Sequence, residues 1–162
     1  MINIRRATRQ DRDSIWRVHI QAIKEICKSH YTKDETQAWS KLLKPGRYEK
    51  AIDSKALFVA DDDDSIVGFG HLDLENGRIE ALYVSPKYVG IGVGKKILQT
   101  LEHIAEQSGS KIVHVSSTLN AVPFYERAGY RSQGHSKHLL PSRLVTCILM
   151  AKELSSWWRS AA

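Results

Sequence analysis

Apolar spacing along the first half of the chain predicts a strand followed by two helices. Residues 2–6 alternate apolar and polar side chains, which indicates a short strand. Apolar residues then recur at helical spacing over about residues 11–26, with Thr8 as the predicted N-cap. A second helix is predicted over residues 33–43, capped by Thr32 and ended by Pro45-Gly46.

The second half of the chain reads as a mixture of strands and helices. Strands are predicted at 56–60, 65–71, 78–84 and 111–117, helices at about 92–107 and 123–127, and a final antiparallel pair at 130–132 and 143–150. The element order is β-α-α-β-β-β-α-β-α-β-β. That order predicts an α/β fold of the α+β type, a central mixed sheet with helices on its faces.

Length and composition suit one ordinary globular domain. The chain has 162 residues, of which 42% are hydrophobic and 26% charged. We expect a domain over residues 1–154 and a C-terminal tail over 155–162. The tail carries Trp157-Trp158, and two alternatives stay open for it: packing onto the domain or a homodimer contact.

Charge and cysteine content narrow the classes of function. The net charge of +6 suits an acidic partner such as a phosphate-bearing molecule. The basic residues are spread along the chain without interleaved aromatics, which argues against nucleic-acid binding. Cys27 and Cys147 are the only cysteines, so they are interpreted as buried small hydrophobes rather than a disulfide scaffold or zinc cluster.

No membrane or metal partner is expected. No apolar run approaches the ~18 residues that span a bilayer, and no signal peptide is recognised, so the expected location is the cytoplasm. The acidic run Asp61–Asp64 is interpreted as a solvated hairpin turn. His135 and His138 flank a predicted glycine-bearing loop, and no further ligand is suitably spaced to complete a metal site with them.

The most informative segment is a glycine-rich stretch between a strand and an amphipathic helix. Gly90, Gly92 and Gly94 let backbone N–H groups approach a ligand closely. The start of the helix adds a partial positive charge, and Lys95 and Lys96 add full charges. This combination predicts a phosphate-binding turn.

Two common glycine motifs do not match this stretch. A P-loop would need glycine at position 89 and serine or threonine at position 96, where the chain has Val89 and Lys96. A dinucleotide-binding fingerprint would need glycine at position 95, which is Lys95.

The stretch resembles motif A of the GCN5-related N-acetyltransferase (GNAT) superfamily, [QR]-x-x-G-x-[GA] after a strand L-x-V-x-P. Residues 82–86 match the strand and residues 89–94 match the loop, except that Val89 replaces the usual arginine or glutamine. The resemblance implies that acetyl-CoA is a co-substrate, with its pantetheine arm along the strand and its pyrophosphate on the loop. The implied cofactor-binding residues are Leu82, Tyr83, Val84, Val89, Gly90, Ile91, Gly92, Val93, Gly94 and Lys95.

A second GNAT pattern, A-x-x-[FL]-Y-x-x-x-G-[FY], fits residues 121–130 at every defined position. The resemblance implies an N-acetyltransferase for a primary amine of a small molecule or peptide, with Tyr125 as general acid toward the leaving thiolate. Two alternatives stay open: a catalytically silent acyl-CoA-binding sensor, in which Tyr125 only packs, and a basic nucleic-acid-binding domain.

The base that deprotonates the amine is left open between Glu80, His71 and a water chain. Glu80 is expected to share a face with Leu82 and Val84 at period two, among apolar neighbours that would raise its basicity. Further candidates for the substrate site are His30, Tyr31, Trp39, His71 and His135.

Overall fold

The computed structural model describes residues 1–140 and 143–154, so the predicted tail with Trp157-Trp158 lies outside the described residues. The strands are β1 Ile2–Arg6, β2 Leu57–Asp62, β3 Ser65–Asp73, β4 Arg78–Val84, β5 Ile112–Ser117, β6 Arg131–Leu140 and β7 Arg143–Glu153. The helices are α1 Arg12–Glu25, α2 Lys33–Lys41, α3 Glu49–Asp53, α4 Val93–Gln107 and α5 Val122–Arg127.

The strands form a 7-stranded sheet in the order β1-β2-β3-β4-β5-β7-β6. Neighbouring strands pair antiparallel except β4 and β5, which pair parallel. The predicted mixed sheet with flanking helices is therefore confirmed. The parallel pair is joined through α4, as the crossover between parallel strands requires.

Two parts of the predicted layout are wrong. Helix α3 was missed because five residues are too few to show a helical period. The final strands are longer than predicted, and the expected glycine-bearing loop is part of β6. Gly134 takes φ of +128° beside a register shift there, and His135 and His138 are paired strand residues.

The caps of the first helices follow local sequence. The Thr32 hydroxyl accepts a hydrogen bond from the Glu35 N–H at 3.1 Å, and the Glu35 carboxylate accepts from the Thr32 N–H at 2.9 Å. Thr8 precedes a short 3-10 turn, residues 9–11, which leads into α1. The predicted cap residues therefore lie where each helical segment starts.

Helices cover both faces of the sheet. α4 packs on one face through Ile97 and Leu101, both fully buried. α1 packs on the opposite face through Ile15 and Val18. Side chains of β4 consequently reach either the α4 side or the α1 side of the sheet, and this division organises the site.

Candidate active site

β4 and β5 diverge at the centre of the sheet. Their described pairing consists of Arg78 and Ile79 of β4 against β5, whereas β4 continues to Val84. The edge of β4 beyond Ile79 therefore presents backbone groups to an open cleft. This open edge includes the backbone groups of Tyr83 and Val84.

A β-bulge interrupts β4 at Glu80. Across the antiparallel pair with β3, Ile79 lies opposite Leu72 and Ala81 lies opposite His71, which leaves Glu80 as the extra residue. A bulge of this kind re-aims the side chains that follow it. It lies where the cleft between β4 and β5 begins.

The bulge overturns one expectation about Glu80. Leu82 and Val84 pack on the α4 side of the sheet together with Ile79, so the alternation restarts after the extra residue. Glu80 instead lines a cavity on the α1 side with Ala81. The prediction that Glu80 shares a face with Leu82 and Val84 is therefore wrong, because the two-residue period breaks at the bulge.

The glycine loop takes a backbone conformation that only glycine adopts readily. Gly90 has φ of +83° and Gly92, the N-cap of α4, has φ of +91°. A Cβ at either position would meet no atom within 4 Å. These glycines are thus required by dihedral angle and not by crowding.

The loop leaves a row of amide N–H groups without protein acceptors. The first helical bond runs from the Lys96 N–H to the Gly92 carbonyl at 3.1 Å, and no N–H of residues 89–95 donates to an oxygen of the described residues. Residues 89–92 are exposed. Free amides at a helix N-terminus, where the helix dipole is positive, form an anion site. Diphosphate binding stays a prediction, and the geometry that it requires is present.

Gly94 has a different reason to be glycine. A Cβ there would lie 3.3 Å from Cε2 of Phe124 and 3.6 Å from Cγ2 of Val84. The missing side chain lets the first turn of α4 approach both α5 and β4. This close approach ties the loop to the end of the strand that borders the cleft.

Charged and apolar groups surround the loop. Lys87 and Lys95 are exposed beside it, and the Tyr88 hydroxyl donates to Asp62 at 2.9 Å, anchoring the loop to the β2–β3 turn. Val89, which replaces the usual arginine or glutamine of the motif, is 54% exposed. The loop therefore offers backbone donors and lysine charges but no side-chain donor at position 89.

The acidic run lies at the β2–β3 hairpin, as predicted, with Asp61 and Asp62 at the end of β2 and Asp63 and Asp64 in the turn. Asp63 and Asp64 take left-handed conformations, with φ of 47° and 69°. Asp61 accepts from the Arg5 guanidinium at 3.1 Å and from the Asp64 N–H at 2.8 Å. Within residues 1–140 and 143–154, no group of three or more histidine, cysteine, aspartate or glutamate side chains could hold a metal ion.

Tyr125 is buried on α5, with 4% of its surface exposed. Its ring makes edge contacts with Phe124 and Tyr130, at centroid distances of 5.0 and 5.3 Å. Its hydroxyl has no hydrogen-bond partner among the described residues. Burial raises the pKa of Tyr125 above its usual value of 10.0. The phenol is thus protonated at neutral pH and suits hydrogen-bond donation better than complete proton transfer.

A cavity of about 700 Å³ lies on the α1 side of β3 and β4. His71 and Ala81 line it from paired positions of the two strands. Burial lowers the pKa of His71 below 6.5, and the nearby charges of Glu80 and Asp73 partly oppose that shift. His71 is therefore neutral at pH 7 and able to accept a proton.

Glu80 occupies a more polar environment than expected. Its side chain is 35% exposed and pairs with the Arg78 guanidinium at 3.0 Å. Glu80 therefore lacks the apolar surroundings that were expected for it on β4. Glu80 and His71 nevertheless line the same cavity, so the structure brings together two of the residues between which the sequence left the base open.

His19 of α1 lines the cavity and was not found from the sequence. It is 6% exposed, its Nδ1 lies 2.8 Å from the Tyr48 hydroxyl, and its ring lies 4.2 Å from that of Tyr83. Burial, assisted by the charge of Arg47, lowers the pKa of His19 to about 3. Within α1 this residue looks like one more member of the buried stripe, and no local pattern marks it.

Tyr31 and Trp39 are core residues. The Tyr31 hydroxyl donates to the Thr146 carbonyl at 2.7 Å and accepts from the Leu119 N–H at 3.1 Å. Trp39 packs edge-on against Tyr31 at 5.6 Å. Both are buried, so they stabilise the junction between α2, β7 and the segment after β5.

His30 and His135 lie away from the cavity. His30 is exposed and its Nδ1 lies 2.7 Å from the Ser29 hydroxyl. His135 is exposed on β6. Of the candidates for the substrate site, the structure places only His71 on the cavity wall. Cys27 and Cys147 are free and buried, as predicted.

The fold and the open amide loop define a class: a mixed α/β protein with free backbone amides at a strand-to-helix turn beside a split sheet. The family whose model matches residues 27–145 is described as an acetyltransferase (GNAT) domain. Since that match spans most of the chain, the protein belongs to the GNAT acetyltransferase family. The predicted family, fold and enzyme class are thereby confirmed.

Solved structures share this fold. A GCN5-related N-acetyltransferase from Rhodopseudomonas palustris superposes with a TM-score of 0.89 at 23% identity, covering 94% of this chain and 95% of that one. The PaiA N-acetyltransferase of Thermoplasma acidophilum, solved in complex with coenzyme A, gives a TM-score of 0.82 at 17% identity, covering 95% and 99%.

Curated relatives match over different lengths. The peptidyl-lysine N-acetyltransferase YjaB of Salmonella typhimurium is 27% identical over 141 residues, which is 85% of this chain and 88% of the relative. A glucosamine 6-phosphate N-acetyltransferase of Trypanosoma brucei brucei is 35% identical over 63 residues, 39% of this chain and 43% of the relative. The chain thus spans less than half of that second relative.

Among the helices of residues 1–140 and 143–154, none combines the length and the apolar character that a membrane span requires.

Proposed function

We propose that this chain is an acetyl-CoA-dependent N-acetyltransferase that transfers the acetyl group to a primary amine of a small molecule or peptide. The observation that carries the proposal is the row of free amides at residues 89–95, beside the open edge of β4. Every helix start leaves such donors free, and here they lie beside an open strand edge that suits an extended ligand.

The loop and the strand edge would hold the co-substrate together. The amides of residues 89–95 and the start of α4 suit the pyrophosphate. The unpaired edge of Leu82, Tyr83 and Val84 suits the amide groups of the pantetheine arm, which would hydrogen-bond as an added strand does. The thioester would then lie in the cleft near the bulge at Glu80.

The reaction needs a neutral amine, a stabilised oxyanion and a leaving thiolate. The amine nitrogen attacks the thioester carbonyl carbon, and the C–S bond breaks as the tetrahedral intermediate collapses. Backbone N–H groups on the open edge of β4 are oriented donors for the oxyanion. They need no reorganisation, because the sheet already fixes them.

Tyr125 is the proposed donor to the leaving thiolate. Its hydroxyl has no competing partner among the described residues, and its ring is held by Phe124 and Tyr130. Because burial raises the pKa of Tyr125, its part is a hydrogen bond that stabilises the thiolate. The proton that the amine releases would go to the base and ultimately to solvent or the thiolate.

His71 is the favoured base. Burial lowers the pKa of His71, so it is neutral at pH 7, and it lines the cavity next to the bulge. Glu80 lines the same cavity but is already paired with Arg78. A water chain between the amine and His71 would serve the same role.

The relatives leave the acceptor open. Their names specify a peptidyl lysine, glucosamine 6-phosphate, or spermine and spermidine. These acceptors share a primary amine and little else. The names therefore define the acceptor of this chain no further than a primary amine.

Two measurements test the proposal. Saturating coenzyme A should raise the melting temperature by mass action, and acetyl-CoA with a panel of amines should release free thiol. Tyr125→Phe should keep the coenzyme A shift and lower the turnover roughly 10- to 100-fold, since a hydrogen bond to a charged group is lost. Thermal stabilisation without turnover of any amine would favour a silent acyl-CoA-binding module, and no stabilisation would contradict the proposal.

A further inference from the structure

The cavity on the α1 side is lined by cationic side chains from one segment of the chain and by carboxylates from another. Its volume of about 700 Å³ is large enough for a small-molecule acceptor. One wall comes from the segment 47–51, which runs into α3, and the other from the β3–β4 hairpin. The cationic side chains lie on the first wall and the carboxylates on the second.

Arg47 and Lys50 form the positive end. Neither side chain makes an ion pair within the described residues. Burial has the largest effect on these two side chains, since it lowers the pKa of His19 and raises the pKa of Tyr48. The charge of Arg47 has the second largest effect, and it lowers the pKa of both. The charge of Arg47 therefore reaches the buried side chains of the cavity wall, where it is screened less than it would be in bulk solvent.

Asp73, Glu75 and Glu80 form the negative end. Burial has the largest effect on the pKa of His71 and lowers it, whereas the charges of Glu80 and Asp73 both raise it. These carboxylates therefore make the electrostatic potential at His71 negative, although Glu80 is also paired with Arg78. Asp73 and Glu80 lie on either side of the turn between β3 and β4, and both line the cavity.

We propose that the acceptor of this enzyme is an amine that also carries an anionic group, a carboxylate or a phosphate. The anion binds Arg47 and Lys50, and the amine lies at the Glu80 and His71 end. This inference rests on the proposed function, since it names the substrate class of the same site.

The orientation follows from the sheet. Glu80 and His71 lie at the bulge of β4, where the open edge toward the cleft begins. An amine at that end is next to the proposed position of the thioester. The carboxylates would attract its cationic form, which releases one proton to solvent before attack, and neutral His71 would accept the second proton as the nitrogen bonds to the carbonyl carbon. Arg47 and Lys50, on the opposite wall, would fix the other end of the molecule.

Matched acceptor pairs test the charge requirement. β-Alanine is compared with its uncharged amide, and O-phosphoethanolamine with ethanolamine, by thiol release from acetyl-CoA. At least one anionic member should show kcat/KM about tenfold or more above its neutral partner, since a charge-assisted contact is lost in the latter. The first pair reports on a carboxylate and the second on a phosphate.

Variants at the positive end test the assignment of residues. Arg47→Met and Lys50→Met should each raise KM for the preferred anionic acceptor about tenfold and leave KM for its neutral partner unchanged. Lys24→Met is the matched control, because Lys24 is exposed on α1 and does not line the cavity. A specific KM effect separates binding of the anion from a general loss of folding.

The outcomes separate this inference from the proposed function. Equal rates within both pairs, including no turnover of either member, overturn the charge requirement. Faster turnover of polyamines or neutral amines by an enzyme that coenzyme A stabilises does so too, and it leaves the transferase intact. Absence of coenzyme A stabilisation and of thiol release with every amine defeats the proposed function itself.

Discussion

Gly70 of β3 lies directly beneath Ile97 of α4. A Cβ built on Gly70 would stand 2.5 Å from Cγ2 of Ile97 and 3.0 Å from Cδ1 of Leu101. No side chain fits there without movement of the helix. The helix that begins at the glycine loop is thus positioned by direct contact with the backbone of β3, one strand away from the cleft.

Gly70→Ala should therefore destabilise the protein by roughly 1–3 kcal/mol, as overpacking of a filled core does. Gly46→Ala is the matched control, because a Cβ at Gly46 meets nothing within 4 Å. Urea denaturation of both variants provides the measurement. Equal midpoints for the two variants would contradict the close packing of α4 on β3.

Tyr31→Phe should destabilise the fold by about 1–3 kcal/mol, because it leaves the Leu119 N–H and the Thr146 carbonyl without their partner. Tyr125→Phe is the control, since the Tyr125 hydroxyl has no partner among the described residues, and it should change stability by less than about 0.5 kcal/mol. Thermal and urea unfolding measure both. A stable Tyr31→Phe variant with reduced activity would instead restore Tyr31 to the substrate site.

Local signals were enough to predict the glycine loop and the elements around it. Gly90 and Gly92 require left-handed backbone, and α4 carries a long apolar stripe, so both are readable from neighbouring residues. The short helix α3 and the polar edge strand β6 carry no such period. Their formation depends on packing against distant parts of the chain.

The residues that line the cavity could not be predicted from local sequence in the same way. The bulge at Glu80 is a property of the pairing between β3 and β4, which no local pattern specifies. His19 reaches the cavity only because α1 crosses the face of β3 and β4. Residues from separate elements meet there, and the sequence pattern of each element reports only that it is amphipathic.

Lys95→Pro should weaken coenzyme A binding more than Lys95→Ala does. Both variants remove the charge, but proline also removes one free N–H of the first turn of α4, where its ring is tolerated. We expect Lys95→Pro to lose about a further tenfold in affinity, with an unchanged melting temperature of the free protein. Thermal shift titration with coenzyme A measures this, and equal affinities of the two variants would contradict an amide cradle that includes residue 95.

His19 should make the protein less stable as the pH falls below 6.5. Its pKa is about 3 in the folded protein and 6.5 for a histidine in water, so between these values the unfolded chain binds the extra proton and stability falls with decreasing pH. From pH 6.5 to 5 the loss should reach about 2 kcal/mol. His19→Phe, which keeps an aromatic ring, should flatten this part of the urea-stability profile. Parallel profiles for the two proteins would contradict the buried neutral histidine.

Activity against pH should distinguish His71 from Glu80 as the base. Burial lowers the pKa of His71, so kcat/KM should be level near neutrality and fall on an acid limb whose midpoint lies below 6.5. Glu80 raises the pKa of His71, so Glu80→Gln should move that limb to lower pH while retaining turnover, whereas His71→Asn should abolish the limb and most of the rate. Loss of turnover in Glu80→Gln with an unshifted limb in His71→Asn would assign the base to Glu80. The comparison is informative because the two side chains line one cavity and influence each other by charge, so each substitution also reports on the group that remains.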